Sequence, residues 1–374
     1  MARLTAREWT LAILSILYAA AAVPIGIHKG IDFEIHVRLA EGLLSGEPVY
    51  AEIPRVGQWW PPFAGVALVP FALVARASMP LAKGVFALVS VACVAWSVAR
   101  FLRAGRPRLA LAVAAVAVPL QINIDYLNIN AVLLALVVAG AFDFADRRDV
   151  RAGVWLGLAT ALKVFPGLLL LYAAYRRRWR TAAYGASLAF GLTVCSLLPL
   201  GVSGALVSAQ RWVDQTGAGA WVLHRRNQSL PALLSRAGVP HSGAIAANLL
   251  LLGFAAFALR RSTTDEDLVN DLGLVTLLAV LLSPIAWDHY FLLALPAWVA
   301  ALARPLRDRA PGTRLLLIAA GVATSGVLTI PSAARGFLLE HSIFGWGTLV
   351  LLLVMLVERQ RRSAREPQPV LSSS

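Results

Sequence analysis

The sequence predicts an all-α polytopic membrane protein, and three observations predict it. Its composition is 59% hydrophobic and 14% charged, with a mean hydropathy of +0.70. Soluble globules lie nearer half apolar and a quarter charged. Apolar runs of about 17–22 residues recur, each long enough to cross a ~30 Å hydrocarbon layer as a helix. Arginines cluster in the short segments between those runs, at 100–108, 147–151, 176–180, 260–261, 304–314 and 359–365. The alternation with period two that a β-barrel needs is absent.

The net charge of +14 suggests nucleic acid at first sight. Its placement between apolar runs is instead the positive-inside pattern, which sets topology, so nucleic acid is not expected as a partner. Membrane lipids are, since such arginines also meet anionic headgroups. Cys93 and Cys195 lie inside apolar runs, and no disulfide is expected between them.

The first run, Trp9–Ile27, follows Arg3 and Arg7, which places its start in the cytoplasm. It is long and no soluble domain follows, which favours a retained span over a cleaved leader. His28–Pro62 is then extracytoplasmic. In it, Phe33, Val37, Ala40 and Leu44 recur at helical spacing between charges, which predicts an amphipathic helix along the membrane surface. Trp59, Trp60, Pro61 and Pro62 mark an interface and a helix break. Phe63–Val74 contains Pro70 and is short for a span, so it reads as re-entrant or interfacial.

Leu81–Ala99 runs inward, Arg108–Ile122 outward and Asn128–Phe144 back. Ala152–Leu162 and Pro166–Tyr175 form either an out-and-back hairpin of two short helices with Lys163 at its tip, or one cytosolic excursion. Thr181–Leu200 goes out to a second long loop, Gly201–His241. Gly243–Leu259, Leu268–Leu282, Phe291–Ala303, Leu315–Ile330 and Ile343–Val357 complete about twelve membrane segments, two of them short. The membrane domain is expected over residues 1–358, with a disordered cytosolic tail over 359–374 and both termini inside. No transporter-type internal repeat is visible.

Polar groups at membrane depth are costly, so each needs a reason. The informative ones fall at one predicted face. Asp32 and His36 share a helical turn. Asn128 and Asn130 open a span, and Lys163 stands alone between two apolar stretches before Pro166. His224, Arg225, Arg226, Asn227 and Ser229 lie in the second outer loop. Trp287, Asp288, His289 and Tyr290 end another span, and Asp125 joins the layer. Glu34, Glu41, Glu47 and Glu52 read as solvated surface, while Asn128 and Asn130 also suit plain helix cross-bonding. There is no phosphate-cradling glycine loop, no zinc spacing and no GxSxG elbow. A carboxylate among several cations at the outer face suits transfer from a lipid-linked phosphate donor: the acid deprotonates an acceptor hydroxyl and the cations take the leaving phosphate. A lipid or polysaccharide transporter is the competing reading, but it would spread polar residues through the full membrane depth.

The run DFEIHVRLAEGLLSGEPVY followed by WWPPFAGVALVP, then NINAVLLAL, AGVWLGLATALKVFPGLLLLY before RRRWR, NQSLPALLSR and SPIAWDHYFLLALP resembles glycosyltransferase family 87 of the GT-C superfamily. These are the polyprenyl-phosphate-mannose-dependent α-1,2-mannosyltransferases of actinobacteria. The resemblance implies a GT-C fold in the plasma membrane and an inverting extracytoplasmic transfer from a polyprenyl-phosphate sugar to a glycolipid or glycan acceptor. It places the catalytic acid at Asp32 and the family's lysine and histidine at Lys163 and His289; these two, with Arg225 or Arg226, are expected to hold the donor phosphate. Substrate contacts are expected from His36, Trp59, Trp60, Asn128, Asn130, Asn227, Ser229, Trp287 and Asp288. No cofactor and no metal ligand are assigned, since cationic side chains can neutralise a phosphodiester leaving group. The chain departs from the family pattern at His36, where a tyrosine is usual, at Trp60-Pro61-Pro62 for Tyr-Pro-Pro, and at Leu127-Asn128-Ile129-Asn130 for Gly-Gln-x-Asn.

Overall fold

The computed structural model describes residues 5–47, 49–50, 60–217, 223–260 and 264–365. Among them the chain forms helices and no β-strand. Helix α1 spans Ala6–Lys29 and opens with a capping box: Glu8 N–H donates to Thr5 Oγ1 at 3.3 Å and Thr5 N–H to the Glu8 carboxylate at 2.9 Å. Its 24 residues rise ~36 Å, enough to span. Gly30, at φ +23°, ends α1 and starts α2, Ile31–Ser45. A Cβ there would lie 2.7 Å from Gly26 O and 2.8 Å from Leu127 Cδ1, so only glycine makes this corner. The corner sets Asp32 in the first turn of α2. Gly46 closes α2 in the left-handed region, which glycine enters without strain.

α2 buries Phe33, His36, Val37, Leu39, Ala40 and Leu43 and packs on α3, Pro62–Ala77. Pro62 occupies the first turn, where its missing N–H costs nothing. The piece expected over Phe63–Val74 is thus a full 16-residue helix. Ser78 caps α4, Met79–Arg103.

The span expected over Arg108–Ile122 is broken into α5, Leu109–Ala114, and α6, Ala117–Tyr126. Pro119 explains the break, because its ring would clash with the Ala115 carbonyl in a continuous helix. α7 covers Asn130–Ala145, α8 Asp149–Leu162 and α9 Gly167–Tyr175. α10, Trp179–Leu197, leads through a 3-10 turn into α11, Gly201–Gly217, so the start of the expected second outer loop is helical. α12 is Leu230–Arg236, α13 His241–Ala258 and α14 Asp265–Leu282. A 3-10 segment, Asp288–Ala294, runs into α15, Leu295–Ala303. α16, Pro311–Ser325, and α17, Ser332–Glu340, precede α18, Ile343–Arg365. The domain boundary expected at residue 358 falls inside α18. The helix continues because Arg359, 3% exposed, bonds Asp271 of α14 at 3.2 Å.

Two kinds of apolar helix result. Residues 272–281 of α14 and 288–302 are buried throughout and form the core. The outer helices instead expose apolar side chains, such as Phe190 at 73% and Val202 at 80%. Among the described residues five helices are long and apolar enough to cross a bilayer: α1, α4, the α10–α11 run over Trp179–Thr216, α13 and α18. α3, α7 and Asp288–Ala303 are shorter apolar pieces. α8 crosses α10 closely on Gly153 and Gly157, and a Cβ at Gly157 would sit 2.6 Å from Gly185 O. Small residues four apart let membrane helices approach this way. The protein is a helical, multi-pass membrane protein.

Candidate active site

Five segments converge at one end of the bundle: the first turns of α2, the α6–α7 link, the α8–α9 turn, residues 224–229 and residues 283–290. Asn128 stands at the centre. Its amide N–H donates to Asp32 Oδ2 at 2.7 Å, and its carbonyl accepts from Lys163 Nζ at 3.1 Å. Lys163 also donates to Asn130 Oδ1 at 2.9 Å, and Asn130 donates to the His289 carbonyl at 3.4 Å. The orientation of the Asn128 amide follows from its partners, because an ammonium can only donate and a carboxylate can only accept.

Lys163 is 4% exposed. Its ammonium lies 3.7 Å from the Tyr290 ring centroid and 5.3 Å from that of Trp60, where the ring faces favour a cation. It forms no ion pair among the described residues. The turn that presents it begins where α8 ends, with Lys163 itself extended, and Pro166 starts α9.

Asp32 keeps about a fifth of its side chain exposed, and His289 Nε2 sits 3.7 Å from its Oδ2. Both ring nitrogens of His289 lack a hydrogen-bond partner among the described residues. Asp288 lies behind, 3.5 Å from His289 Nδ1, and accepts Arg226 through Nε at 3.0 Å and Nη2 at 2.7 Å. Arg226 also reaches the Tyr126 hydroxyl, and Tyr126 stacks on His289 with centroids 5.9 Å apart. Burial opposes the Arg226 charge, but Asp288 and Tyr126 outweigh it and raise its proton affinity. Arg226 is thus committed to Asp288, whereas Arg225 is exposed and forms no ion pair among the described residues.

His36 stacks on Trp60, with centroids 3.2 Å apart and planes at 16°. Burial, with the Lys163 charge nearby, depresses its proton affinity well below the ordinary histidine value, so it is neutral. Its Nδ1 has no partner among the described residues. Trp59 lies outside the described residues, as does Glu52.

Asn227, Gln228 and Ser229 are fully buried, and their side chains are engaged by backbone. Asn227 accepts from Ala286 N–H at 3.0 Å and donates to Pro284 O at 3.0 Å. Ser229 caps α12. Trp287 pairs with Asn227 in an antiparallel bridge and meets His224 edge-on at 5.0 Å. These contacts fix the 283–290 segment from the side.

A cavity of about 380 Å³ opens beside Lys163, lined by Trp60, Phe165, Leu168, Trp212, Leu282 and Tyr290. Its walls are mostly apolar with one cation at the end. Among the described residues no three His, Cys, Asp or Glu side chains gather as a metal ion would require.

Two participants escaped the sequence reading, Tyr126 and Lys83. Tyr126 was indistinguishable from an interface anchor. Lys83, a lone lysine early in α4, binds Glu34 at 2.5 Å with its side chain 6% exposed; its isolation in an apolar run is the signal that singled out Lys163. Glu34 and Glu41, expected as solvated surface, are paired, the latter with Arg76 at 2.7 Å. Asp125 belongs to the same layer but bonds Lys29 at 2.8 Å. Leu127, fully buried, sits at φ +53°. This is the position where the family pattern has glycine, and the left-handed backbone explains that preference.

Comparison with known proteins identifies the family. The profile of glycosyltransferase family 87 matches residues 59–284. A polyprenol-phosphate-mannose-dependent alpha-(1-2)-phosphatidylinositol mannoside mannosyltransferase of Mycobacterium tuberculosis is 29% identical, over 77% of this chain and 74% of the relative. Its namesake in Mycolicibacterium smegmatis is also 29% identical, over 75% and 71%. A phosphatidylinositol pentamannoside mannosyltransferase of M. tuberculosis is 28% identical, over 69% and 61%. No solved structure matches. With more than half of its length under the family profile and relatives aligned along most of it, the chain belongs to glycosyltransferase family 87 and is a membrane glycosyltransferase.

Proposed function

We propose that this protein transfers mannose from a polyprenyl-phosphate donor to a hydroxyl of a membrane glycolipid, with inversion, on the extracytoplasmic side. The single observation that carries the mechanism is the Asn128 amide between Asp32 and Lys163. It keeps a carboxylate and an ammonium side by side without letting them neutralise each other.

Asp32 takes the proton of the acceptor hydroxyl as its oxygen attacks the anomeric carbon. The bond from that carbon to the phosphate oxygen breaks, and polyprenyl phosphate leaves with the electron pair. Attack opposite the leaving group converts a β-linked donor to an α-linked product. Lys163 and exposed Arg225 stabilise the departing phosphate, and His289, 3.7 Å from Asp32, faces the same reacting centre. Arg226 and Asp288 hold the 283–290 segment in place, while Asn227 and Ser229 brace it. His36 and Trp60 form a flat wall for the sugar. The apolar cavity at Lys163 takes the first isoprene units. Side-chain cations neutralise the phosphate in this reading, so no cofactor is invoked.

Sidedness follows from charge. α7 starts at the site with Asn130 and ends beside the arginines at 147–151, and α8 returns from them to Lys163. By the positive-inside rule the arginine end is cytoplasmic.

The test is Asp32→Asn assayed with purified protein, labelled polyprenyl-phosphate-mannose and phosphatidylinositol mannosides. Loss of general-base catalysis lowers transfer by about 10²–10⁴-fold. Undiminished transfer would remove Asp32 from its role, and a requirement for a nucleotide sugar would overturn the donor.

A further inference from the structure

A polar cavity of about 280 Å³ lies at the opposite end of α14. Glu266 and Asn270, near the start of α14, line it, whereas Leu282 at the helix end lines the Lys163 cavity. Along α14, Glu266 and Leu282 are separated by ~24 Å. Arg304, Arg309, Thr313, Glu358, Arg361 and Arg362 complete the lining.

The charges there do not balance. Arg309, with 2% of its side chain exposed, is matched by Glu358 at 2.9 Å and bonds Ala301 O. Glu266 is taken by Arg106. Arg304, Arg361 and Arg362 form no ion pair among the described residues, although they share one cavity: Arg304 donates only to the Asp308 carbonyl, and Arg361 and Arg362 are exposed. Burial and the nearby Arg304 and Arg362 lower the proton affinity of Arg309, against the pull of Glu358, so the cluster is short of negative charge.

Two further features point to an anion as the ligand. The first turn of α16 faces the cavity at Thr313, and the first backbone bond of that helix is Arg314 N–H to Ala310 O. The N–H groups of Gly312 and Thr313 are therefore unspent within the helix, at its positive dipole end. Beyond Thr313, α16 exposes Leu315 at 67%, Ile318 at 47% and Val322 at 39%. Their spacing puts them on one face, leading away from the arginines.

We propose that this cavity binds the phosphate of an anionic phospholipid, with an acyl chain lying along Leu315, Ile318 and Val322. The site serves the leaflet opposite Asp32 and is separate from the transfer reaction. Phosphate oxygens meet the three unmatched guanidinium groups and the α16 N-terminus, and the lipid joins α15, α16 and α18 at one point.

Thermal unfolding of the purified full chain in neutral detergent tests this. The probes are dioctanoyl-phosphatidylglycerol, dioctanoyl-phosphatidylcholine and inorganic phosphate. Phosphatidylglycerol should raise the midpoint and phosphatidylcholine should not. The triple variant Arg304→Gln, Arg361→Gln, Arg362→Gln should bind phosphatidylglycerol on the order of a hundredfold more weakly, from about fivefold per cation. Arg304→Gln alone gives the single-cation step, and Arg307→Gln, outside the cavity, keeps the full shift. Leu315→Ser with Ile318→Ser should weaken the lipid but not the effect of inorganic phosphate. An unchanged phosphatidylglycerol shift in the triple variant, or an equal shift from phosphatidylcholine, overturns the site. Inorganic phosphate matching phosphatidylglycerol, with no effect of the leucine and isoleucine changes, overturns the lipid as its occupant.

Discussion

Two acids, one at each end of the bundle, are handled in opposite ways. At the arginine-rich end Asp271 meets its base directly. Asp271, fully buried, accepts Arg359 at 3.2 Å and the Tyr172 hydroxyl at 3.1 Å. Arg178 reaches Asp149 at 2.6 Å. At the other end Asp32 and Lys163 share a neighbour, but Asn128 stands between them. Paired charges are spent on holding helices together. Charges kept apart by a neutral amide remain available to a substrate that brings its own hydroxyl and phosphate. The comparison therefore predicts that mutations at the two ends fail in different currencies, stability at one and rate at the other.

The largest effect falls at the paired end. Arg359→Met leaves Asp271 buried without its cation, which costs about 3–5 kcal/mol. The unfolding midpoint drops steeply, while transfer per folded molecule stays near that of the parent. A variant with its midpoint intact and its transfer lost would erase the distinction between the ends.

Lys163→Met should do the reverse. It removes a buried cation that has no acid partner, so the midpoint holds or rises. Transfer falls by about 10²–10³-fold, the usual loss when one stabilising donor to a developing anion is removed. A fall confined to KM would mean that Lys163 holds the donor equally well before and during reaction.

Asn128→Leu probes the spacer itself. With the amide gone, Asp32 and Lys163 are free to pair, and each loses a charge-assisted hydrogen bond. Such bonds contribute about 1.5–3 kcal/mol to stability, which the new Asp32–Lys163 pair offsets in part, so the midpoint should fall modestly while transfer falls by roughly 10–100-fold. Transfer equal to the parent would show that the separation of the two charges is incidental.

What the sequence revealed divides along the same line. Local signals were legible. The apolar spacing in 33–44 located α2, and the lone lysine before Pro166 marked the turn between α8 and α9. Asn128 and Asn130 stood out as amides opening an apolar helix. Partnership across the chain was not legible. Arg226 and Asp288 are 62 residues apart, and nothing local says that one is committed to the other. Asn227 and Ser229 resembled substrate contacts because a polar side chain gives no sign of which backbone will claim it. The break before α6 was signalled by Pro119, but the apolar run across it concealed the effect. Gly153 and Gly157 carried the close crossing of α8 and α10 in plain view, and hydropathy outweighed them because glycine adds almost nothing to an apolar average. Tyr126 needed the fold itself, since its partner His289 comes from another segment; Lys83 carried the signal of a lone lysine in an apolar run, but its pairing with Glu34 of another helix did not show.

The smallest expected effect concerns His36, in α2 outside the spanning helices. Burial depresses its proton affinity below the ordinary value of 6.5. The unfolded chain therefore takes a proton near pH 6.5 that the folded chain refuses. Stability from this residue is complete above that pH and declines as pH falls through 6.5 toward the lower folded value. His224 contributes with the same sign, through burial and the neighbouring arginines. His36→Phe keeps a flat ring against Trp60 and removes the titration. Unfolding midpoints between pH 7.5 and 5 should decline less in the variant than in the parent, leaving the part that His224 carries. Equal slopes would mean that His36 takes a proton in the folded protein as readily as in water. The wall beside Asp32 would then be charged, and the separation of charge at this end would rest on more than the Asn128 amide.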